Sequence, residues 1–298
     1  MRRTLPPDEA DGSSSEERSR AMSTSSVASG VYHAQINGVR IAYQAAGRGE
    51  PLVLVHGSWG SHHNWDPVVP GLSAHHRVVS YDRRGHSESE RPAGQGTFAE
   101  DVADLAALVE TLDVAPAWVV GNSVGAVITL QLAAARPDLL RGVIVHEPPL
   151  RGPLSEGGAD ELLRMVLELI RAGDHAGAAE RFVDDVALGP GAWAQLPERM
   201  RATMVDNAPT YLDEELAPDS RTVDEDALAR YRGPVLVTSG GQSPPIFQPV
   251  LRHLAQLLPQ AHRLQYAGAG HIPHATHPEE FVSTVLGFVS DPGLGGAS

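Results

Sequence analysis

The chain has 298 residues, of which 42% are hydrophobic, so it can form one large globular domain or two modest ones with a core. It carries 23 Lys and Arg against 37 Asp and Glu, and the resulting net charge of −14 disfavours nucleic acid and anionic membranes as partners and favours a neutral or cationic small molecule. It contains no cysteine, which excludes disulfides, thiolate catalysis and zinc–cysteine sites.

Both ends of the chain have a composition that is unsuited to a packed core. Residues 1–29 combine Pro, Ser, Glu, Asp and Arg without an apolar stretch, which predicts a disordered tail and not a signal peptide. Residues 292–298 are rich in glycine and are predicted to be frayed. No run reaches the roughly 18 apolar residues of a membrane span, so we expect a cytoplasmic protein without a membrane partner.

Between these ends, short apolar strands alternate with helices. Strands are predicted at 31–35, 39–44, 51–55, 77–81, 117–120, 142–146, 234–238 and 262–266. Helical spacing predicts helices at 97–112, 124–135, 250–258 and 278–289. This alternation is typical of a parallel sheet that is covered by helices on both faces.

The alternation stops between residues 148 and 232. Helical patterns occur there at 162–171, 176–186 and 193–207, with no convincing strand between them. We therefore predict an α/β core formed by 30–147 and 233–291, with 148–232 inserted as a helical cap. A cap at the carboxyl end of a strand would cover a site there and supply its apolar walls.

The sequence Gly-Asn-Ser-Val-Gly at 121–125 fits the pattern G-x-S-x-G. It lies between a predicted buried strand and a predicted apolar helix, where a tight turn exposes the serine hydroxyl above the edge of the sheet. An ordinary glycine-rich strand-to-helix turn is the alternative explanation. We interpret Ser123 as a candidate nucleophile.

A serine nucleophile needs a base, and His271 is the candidate. It lies in the loop after the last predicted strand and before the last helix, and histidine titrates near working pH. His274 and His277 follow closely, so a metal site is an alternative. The loop contains no carboxylate before Glu279 and no H-E-x-x-H pattern, so we predict no metal.

Two turns offer backbone N–H groups for a developing oxyanion. One is the N–H of Val124, which follows the candidate nucleophile, and the other is the N–H of Ser58 in the turn at 56–60. Trp59 in the same turn is either a pocket wall or ordinary packing, and Asn122 is a further candidate for the substrate pocket. His56 is predicted to bond its own loop.

These motifs together resemble the α/β-hydrolase superfamily, of the esterase and carbon–carbon hydrolase type, over about residues 31–291. The resemblance is carried by His-Gly-Ser-Trp-Gly at 56–60, Asp-Arg-Arg-Gly-His-Ser-Glu-Ser at 82–89, the turn at 121–125 and Gly-His at 270–271. It implies a mostly parallel eight-stranded sheet flanked by helices, a helical cap, a triad in the order Ser, acid, His, and no cofactor. In such proteins Asp-Arg-Arg-Gly at 82–85 is mostly a structural turn.

The sequence departs from the family in the position of the acid, which usually follows the seventh strand. No Asp or Glu occurs from Ala227 to Pro278, and the expected positions hold Gln242 and Ser243, which carry no negative charge. Glu147 is the substitute, at the end of the strand next to the nucleophile strand. Some relatives, notably certain haloalkane dehalogenases, take their acid from this strand end. The alternative is that Glu147 is a solvated residue.

The sequence thus predicts a serine hydrolase that uses Ser123, His271 and Glu147 to cleave a small, low-charge carboxylic ester, thioester or lactone through an acyl-enzyme. Carbon–carbon bond hydrolysis or perhydrolysis by the same residues is one alternative. A non-catalytic small-molecule receptor on this scaffold is another, suggested by the missing acid in the usual loop. Whether the chain forms a homo-oligomer is left open.

Overall fold

The computed structural model describes residues 30–156 and 159–293, and the eight strands within them form one sheet. The strands are β1 Tyr32–Ile36, β2 Val39–Ala46, β3 Pro51–Val55, β4 Arg77–Tyr81, β5 Ala117–Asn122, β6 Leu140–His146, β7 Val235–Gly240 and β8 His262–Tyr266. The sheet order is β1-β2-β4-β3-β5-β6-β7-β8. The β1–β2 and β2–β4 pairs are antiparallel and the remaining pairs are parallel, which confirms the predicted mostly parallel eight-stranded sheet.

Helices cover this sheet and form the segment between β6 and β7. The α-helices are α1 Val69–Ser73, α2 Phe98–Thr111, α3 Val124–Ala135, α4 Arg151–Glu156, α5 Ala159–Arg171, α6 His175–Arg181, α7 Glu198–Leu216, α8 Glu225–Ala229, α9 Gln248–Leu257, α10 Pro273–Thr276 and α11 Pro278–Ser290. Short 3-10 turns lie at His62–Trp65, Pro137–Leu139, Trp193–Gln195 and Pro245–Phe247, and a π-helical turn lies at Phe182–Ala187. None of these described helices is long and apolar enough to cross a membrane.

The α3 helix lies against the centre of the sheet, and this position explains why its residues are mostly apolar. Nine of its 12 residues are buried, because a helix that is apolar all round has to be covered all round. A Cβ on Gly125 would lie 2.1 Å from the Val55 carbonyl oxygen, and one on Gly121 would lie 2.3 Å from the Gly125 carbonyl oxygen. Both glycines therefore permit the close approach of helix and strands beneath Ser123.

The segment 148–232, here called the cap segment, contains helices and turns but no strand among its described residues. Its helix boundaries differ from the sequence prediction. Pro197 lies between the short turn at 193–195 and α7. Its backbone is extended, so the turn does not continue into the helix. The α7 helix then continues through Pro209 to Leu216, because buried side chains on both sides of the proline hold it in place.

The predicted disordered tail at 1–29 lies outside the described residues, as do residues 294–298 of the predicted frayed end.

Candidate active site

Ser123 lies between β5 and α3 with a left-handed backbone, φ 55° and ψ −125°. Such a conformation is costly for a non-glycine residue and is commonly retained where it presents a functional group. The Ser123 N–H donates to the His146 carbonyl oxygen at 2.9 Å, which ties the turn to the end of β6. A Cβ on Gly57 would lie 2.9 Å from the Ser123 Cβ, so the turn at 56–60 packs directly on the serine.

Glu147 follows β6 and is buried at 1% exposure, so the solvated alternative is wrong. Its Oε2 lies 2.7 Å from His271 Nδ1. The Gly240 N–H donates to Oε1 at 2.9 Å and the Ser243 hydroxyl donates to Oε2 at 2.9 Å. The loop that usually supplies the acid therefore supplies hydrogen-bond donors that hold a carboxylate arriving from the neighbouring strand.

The environment of Glu147 favours its ionised form. Burial would raise the pKa of the carboxyl, but the imidazoles of His146 and His271 lower the pKa of Glu147 well below its usual range. His146 Nε2 lies 3.5 Å from the carboxylate, beyond a normal hydrogen bond, whereas His271 Nδ1 bonds to it directly. A stable anion thus faces the ring nitrogen of His271.

His271 is held by contacts on three sides. Its ring stacks on Phe247 with 4.4 Å between centroids and 17° between planes. Its carbonyl oxygen accepts a hydrogen bond from Asn122 Nδ2 at 2.9 Å. With Nδ1 bonded to Glu147, the Nε2 atom is left to face a reacting group. Ser123 and His271 line the same cavity.

Val124 and Ser58, the two predicted oxyanion donors, both lie beside Ser123. Val124 is the first residue of α3, where helical N–H groups lack an acceptor within the helix. Ser58 is in the turn at 56–60, which packs on Ser123. Both Ser58 and Val124 line a small compartment together with Ser123. The Ser58 hydroxyl donates to Glu214 Oε2 at 2.6 Å, a contact from α7 that the sequence did not predict.

A buried charge network continues from Glu214 into the core. Glu214 Oε1 lies 2.7 Å from Arg83 Nη2, and Arg83 also bonds to Asp101. All three residues are at most 7% exposed. Asn207, two turns earlier on α7, donates to the Gly60 carbonyl oxygen at 2.9 Å. The cap segment is therefore hydrogen-bonded to the turn at 56–60 at its middle residue, Ser58, and at its last residue, Gly60.

Asn207 and Glu214 were not predicted as site residues, because the predicted helix at 193–207 ended before Glu214 and the two residues were not seen to share a face. The available signal was the spacing of seven residues between them, which places both on one face of a helix. A second signal was Arg83 in the 82–89 segment, since a buried guanidinium needs carboxylate partners.

Asp82, the first residue of the segment 82–85 that the resemblance describes as a structural turn, is hydrogen-bonded to neighbouring loops. Asp82 accepts hydrogen bonds from the His62 N–H at 2.7 Å, the His62 ring at 2.8 Å and the Glu88 N–H at 3.0 Å. His56 is also buried: its Nδ1 donates to the Gly57 carbonyl oxygen of its own loop at 2.7 Å, and its Nε2 accepts from the Arg83 N–H at 3.0 Å. Burial lowers the pKa of His56 well below its usual value, so this ring is neutral.

His146, Glu147 and His271 offer ligand atoms within 4.8 Å of one another, which is the spacing of a metal site. His271 Nδ1 and both oxygens of Glu147 already take part in hydrogen bonds within this group or with Gly240 and Ser243. These hydrogen bonds pair an imidazole with a carboxylate, and they already use the atoms that would bind a metal ion. We assign no metal to it.

The cavity above Ser123 and His271 has a volume of about 240 Å³. Its walls are mostly apolar and come largely from the cap segment, with Phe182, Val183, Leu188, Leu196, Met200 and Met204 among them. Trp59 lines this cavity and also stacks on Tyr211 at 4.5 Å, so both alternatives for this residue apply. Asn122 lines it as well and anchors the His271 loop.

Comparison with known proteins identifies the family. A family model described as the alpha/beta hydrolase fold matches residues 50–278. A non-heme chloroperoxidase of Streptomyces lividans is 31% identical over 268 residues, which cover 85% of this chain and 97% of that protein. The chain belongs to the α/β-hydrolase family and is an enzyme of that family.

Solved structures agree with this assignment. The bromoperoxidase from Bacillus anthracis superposes with a TM-score of 0.75 at 26% identity, covering 88% of this chain and all of that one. The enol-lactonase from Burkholderia xenovorans LB400 superposes with a TM-score of 0.72 at 23% identity, covering 87% and 100%, and supports the fold alone.

Proposed function

We propose that this protein is a serine hydrolase that cleaves a small, low-charge carboxylic ester, thioester or lactone. The observation that carries the proposal is the 2.7 Å hydrogen bond between Glu147 Oε2 and Nδ1 of His271, a residue that lines the same cavity as Ser123. A buried carboxylate that orients an imidazole next to a strained serine is the arrangement that activates a hydroxyl nucleophile.

In the first half of the proposed reaction, the Ser123 hydroxyl attacks the acyl carbon and His271 Nε2 accepts its proton. Glu147 stabilises the imidazolium that forms and keeps the ring in the tautomer with the proton on Nδ1. The backbone N–H groups of Ser58 and Val124 donate to the oxyanion of the tetrahedral intermediate. His271 then protonates the leaving oxygen or sulfur, and the acyl-enzyme remains.

In the second half, His271 accepts a proton from water, and the hydroxide attacks the acyl carbon. The bond to the Ser123 oxygen breaks, His271 returns the proton to that oxygen, and the carboxylic acid leaves. The apolar walls of the cavity favour substrates without a charge near the scissile bond. A Ser nucleophile at the turn, where epoxide hydrolases and dehalogenases carry Asp, favours acyl transfer.

Labelling with a fluorophosphonate tests the nucleophile without knowledge of the substrate. We expect covalent labelling of the wild-type protein at Ser123 and none in Ser123→Ala. Ser80, which is buried in the sheet, offers a matched control as Ser80→Ala, and that variant should label like the wild type. Absence of labelling in the folded wild-type protein would favour the non-catalytic receptor.

A panel of p-nitrophenyl esters and lactones, assayed beside β-diketones, tests the reaction class. Turnover of the esters and lactones alone supports the proposal. Turnover of the diketones alone would replace it with carbon–carbon bond hydrolysis by the same residues.

Perhydrolysis is a second candidate, because the relatives described above include a chloroperoxidase and a bromoperoxidase. In that reaction hydrogen peroxide takes the place of water at the acyl-enzyme and releases a peracid. The test is to measure peracid formation from a short ester in the presence of hydrogen peroxide. A peracid yield that depends on Ser123 would support this candidate, and hydrolysis alone would argue against it.

A further inference from the structure

A second compartment of about 30 Å³ also reaches Ser123, apart from the cavity of about 240 Å³. Its lining includes Ser58, Val124 and His271, the groups proposed to act on the acyl carbon. The other walls are mostly buried apolar side chains, among them Pro149, Leu154, Leu163, Val186 and Phe247. A space of this size admits only a short part of a substrate.

Two polar side chains, Arg221 and Tyr211, line this compartment between the apolar ones. They are 6% and 1% exposed. Arg221 Nη2 donates to Glu215 Oε2 at 2.7 Å, but its Nε has no hydrogen-bond partner in the described part of the chain. The Tyr211 hydroxyl makes no hydrogen bond of normal geometry there either, and the Glu215 carboxylate lies near it. A buried donor without a partner is costly, so each group favours a ligand with an acceptor atom.

The surrounding charges indicate that this acceptor is neutral. Arg221 is already neutralised by Glu215, and both side chains of this pair are buried. Burial and the nearby carboxylates of Glu215 and Glu214 raise the pKa of Tyr211 well above its usual value, so its hydroxyl stays a donor. A substrate carboxylate here would add a further negative charge beside two carboxylates, whereas a keto oxygen would not.

The two spaces also differ in the exposure of the residues that line them. The larger cavity is lined in part by the exposed residues Asp66 and Arg199, so a leaving group can depart through it. The described residues that line the smaller compartment are all buried or partly buried, and this compartment suits the group that stays bonded to Ser123 until water attacks. We propose that the smaller compartment is an acyl subsite that selects a short acyl group carrying a keto oxygen, recognised by Arg221 and Tyr211.

This inference rests on the proposed acyl-enzyme chemistry, and it is tested by matched esters of one alcohol. The pairs are 4-oxopentanoyl against pentanoyl p-nitrophenyl ester and 3-oxobutanoyl against butanoyl p-nitrophenyl ester. We expect kcat/KM of at least one keto ester to exceed that of its plain partner by about tenfold or more, because the plain ester leaves the buried donors unpaired. The 3-carboxypropanoyl ester should show no such gain.

Tyr211→Phe and Arg221→Lys should each reduce this preference towards unity while turnover of the plain ester persists. Arg221→Lys keeps the charge next to Glu215, and Tyr211→Phe keeps the ring against Trp59, so both variants preserve most of the packing. Tyr231→Phe is the matched control, since its hydroxyl is also buried without a partner among the described residues and it lines neither space. This control should keep the preference.

Equal kcat/KM for keto and plain esters in the wild type would overturn the subsite while leaving the hydrolase proposal intact. A preference that survives both Tyr211→Phe and Arg221→Lys would overturn it as well. If no ester is turned over, calorimetry tests the subsite. It measures the binding of ethyl 4-oxopentanoate and of ethyl pentanoate to Ser123→Ala. Tighter binding of the keto ester would keep the subsite without the hydrolase, and equal binding would overturn both.

Discussion

The site has a floor and a roof that are built on different principles. The floor consists of loops at the carboxyl ends of β3, β5, β6 and β8, which carry Ser58, Ser123, Glu147 and His271, and hydrogen bonds between strand ends hold Ser123, Glu147 and His271. The roof is the cap segment, which contributes two buried polar side chains of α7 that bond to the turn at 56–60 and most of the apolar walls. In the proposed function, the floor supplies the reacting groups, and the roof positions the turn with Ser58 and selects the substrate.

The largest expected effect comes from the floor. Glu147→Gln keeps the shape of the side chain but removes the charge that stabilises the imidazolium, so we expect ester turnover to fall by about 10³ to 10⁴. Circular dichroism should show an unchanged fold. A loss in turnover of less than about tenfold would show that another group orients His271.

The same variant offers a rescue experiment. Ser243 already bonds to Glu147 Oε2, so Ser243→Asp in the Glu147→Gln background returns a carboxylate close to the original one. We expect this double variant to regain part of the lost turnover, whereas Gln242→Asp, whose native side chain bonds to the exposed Ala267 carbonyl oxygen, should regain less. Equal failure of both would mean that the acid works only from the end of β6.

The next effect is at the junction of floor and roof. Glu214→Ala leaves the buried Arg83 with Asp101 alone, and breaking such a pair costs about 3–5 kcal/mol of the free energy of unfolding. Urea unfolding measures this. We also expect a fall in kcat at a nearly unchanged KM, because the turn with Ser58 loses an anchor. A stable variant with normal kcat would remove Glu214 from the positioning of that turn.

A smaller effect concerns pH and the core beneath the floor. His274 is buried against Trp65, and burial lowers its pKa to about 3. The unfolded chain takes up a proton at this residue below about pH 6.5 whereas the folded chain does not, so the stability is fully present above that pH and is lost as the pH falls.

His274→Phe should therefore lose less stability than the wild type on acidification. The difference is expected to be about 2 kcal/mol between about pH 7 and pH 5, measured by urea unfolding at both values. Parallel losses in the wild type and the variant would show that His274 is not the group that titrates.

The smallest effect separates the hydroxyl of Ser58 from its backbone. Ser58→Ala removes the hydrogen bond to Glu214 but leaves the N–H that is proposed to hold the oxyanion, so turnover should fall by less than about tenfold. The test compares the loss of ester turnover in Ser58→Ala with the loss in Glu214→Ala. A larger loss in Ser58→Ala than in Glu214→Ala would mean that the hydroxyl itself acts on the substrate.

The sequence predicted the floor better than the roof, for physical reasons. Strand bounds and the turn at 121–125 follow from local patterns of apolar residues and glycine, and the family resemblance that they carried is confirmed. The empty acid loop pointed to Glu147 because a histidine base needs a charge, and the catalytic roles of Ser123, His271 and Glu147 stay predictions. Glu214, Tyr211 and Arg221 could not be placed, because their meaning depends on how the cap segment packs.

Glu147 is proposed to activate Ser123 through His271, and the rate of fluorophosphonate labelling tests this activation without a known substrate. We expect labelling of Ser123 to be at least about 10²-fold slower in Glu147→Gln than in the wild type, with Ser243→Asp restoring part of the rate in that background. Labelling at an unchanged rate in a folded Glu147→Gln protein would contradict it.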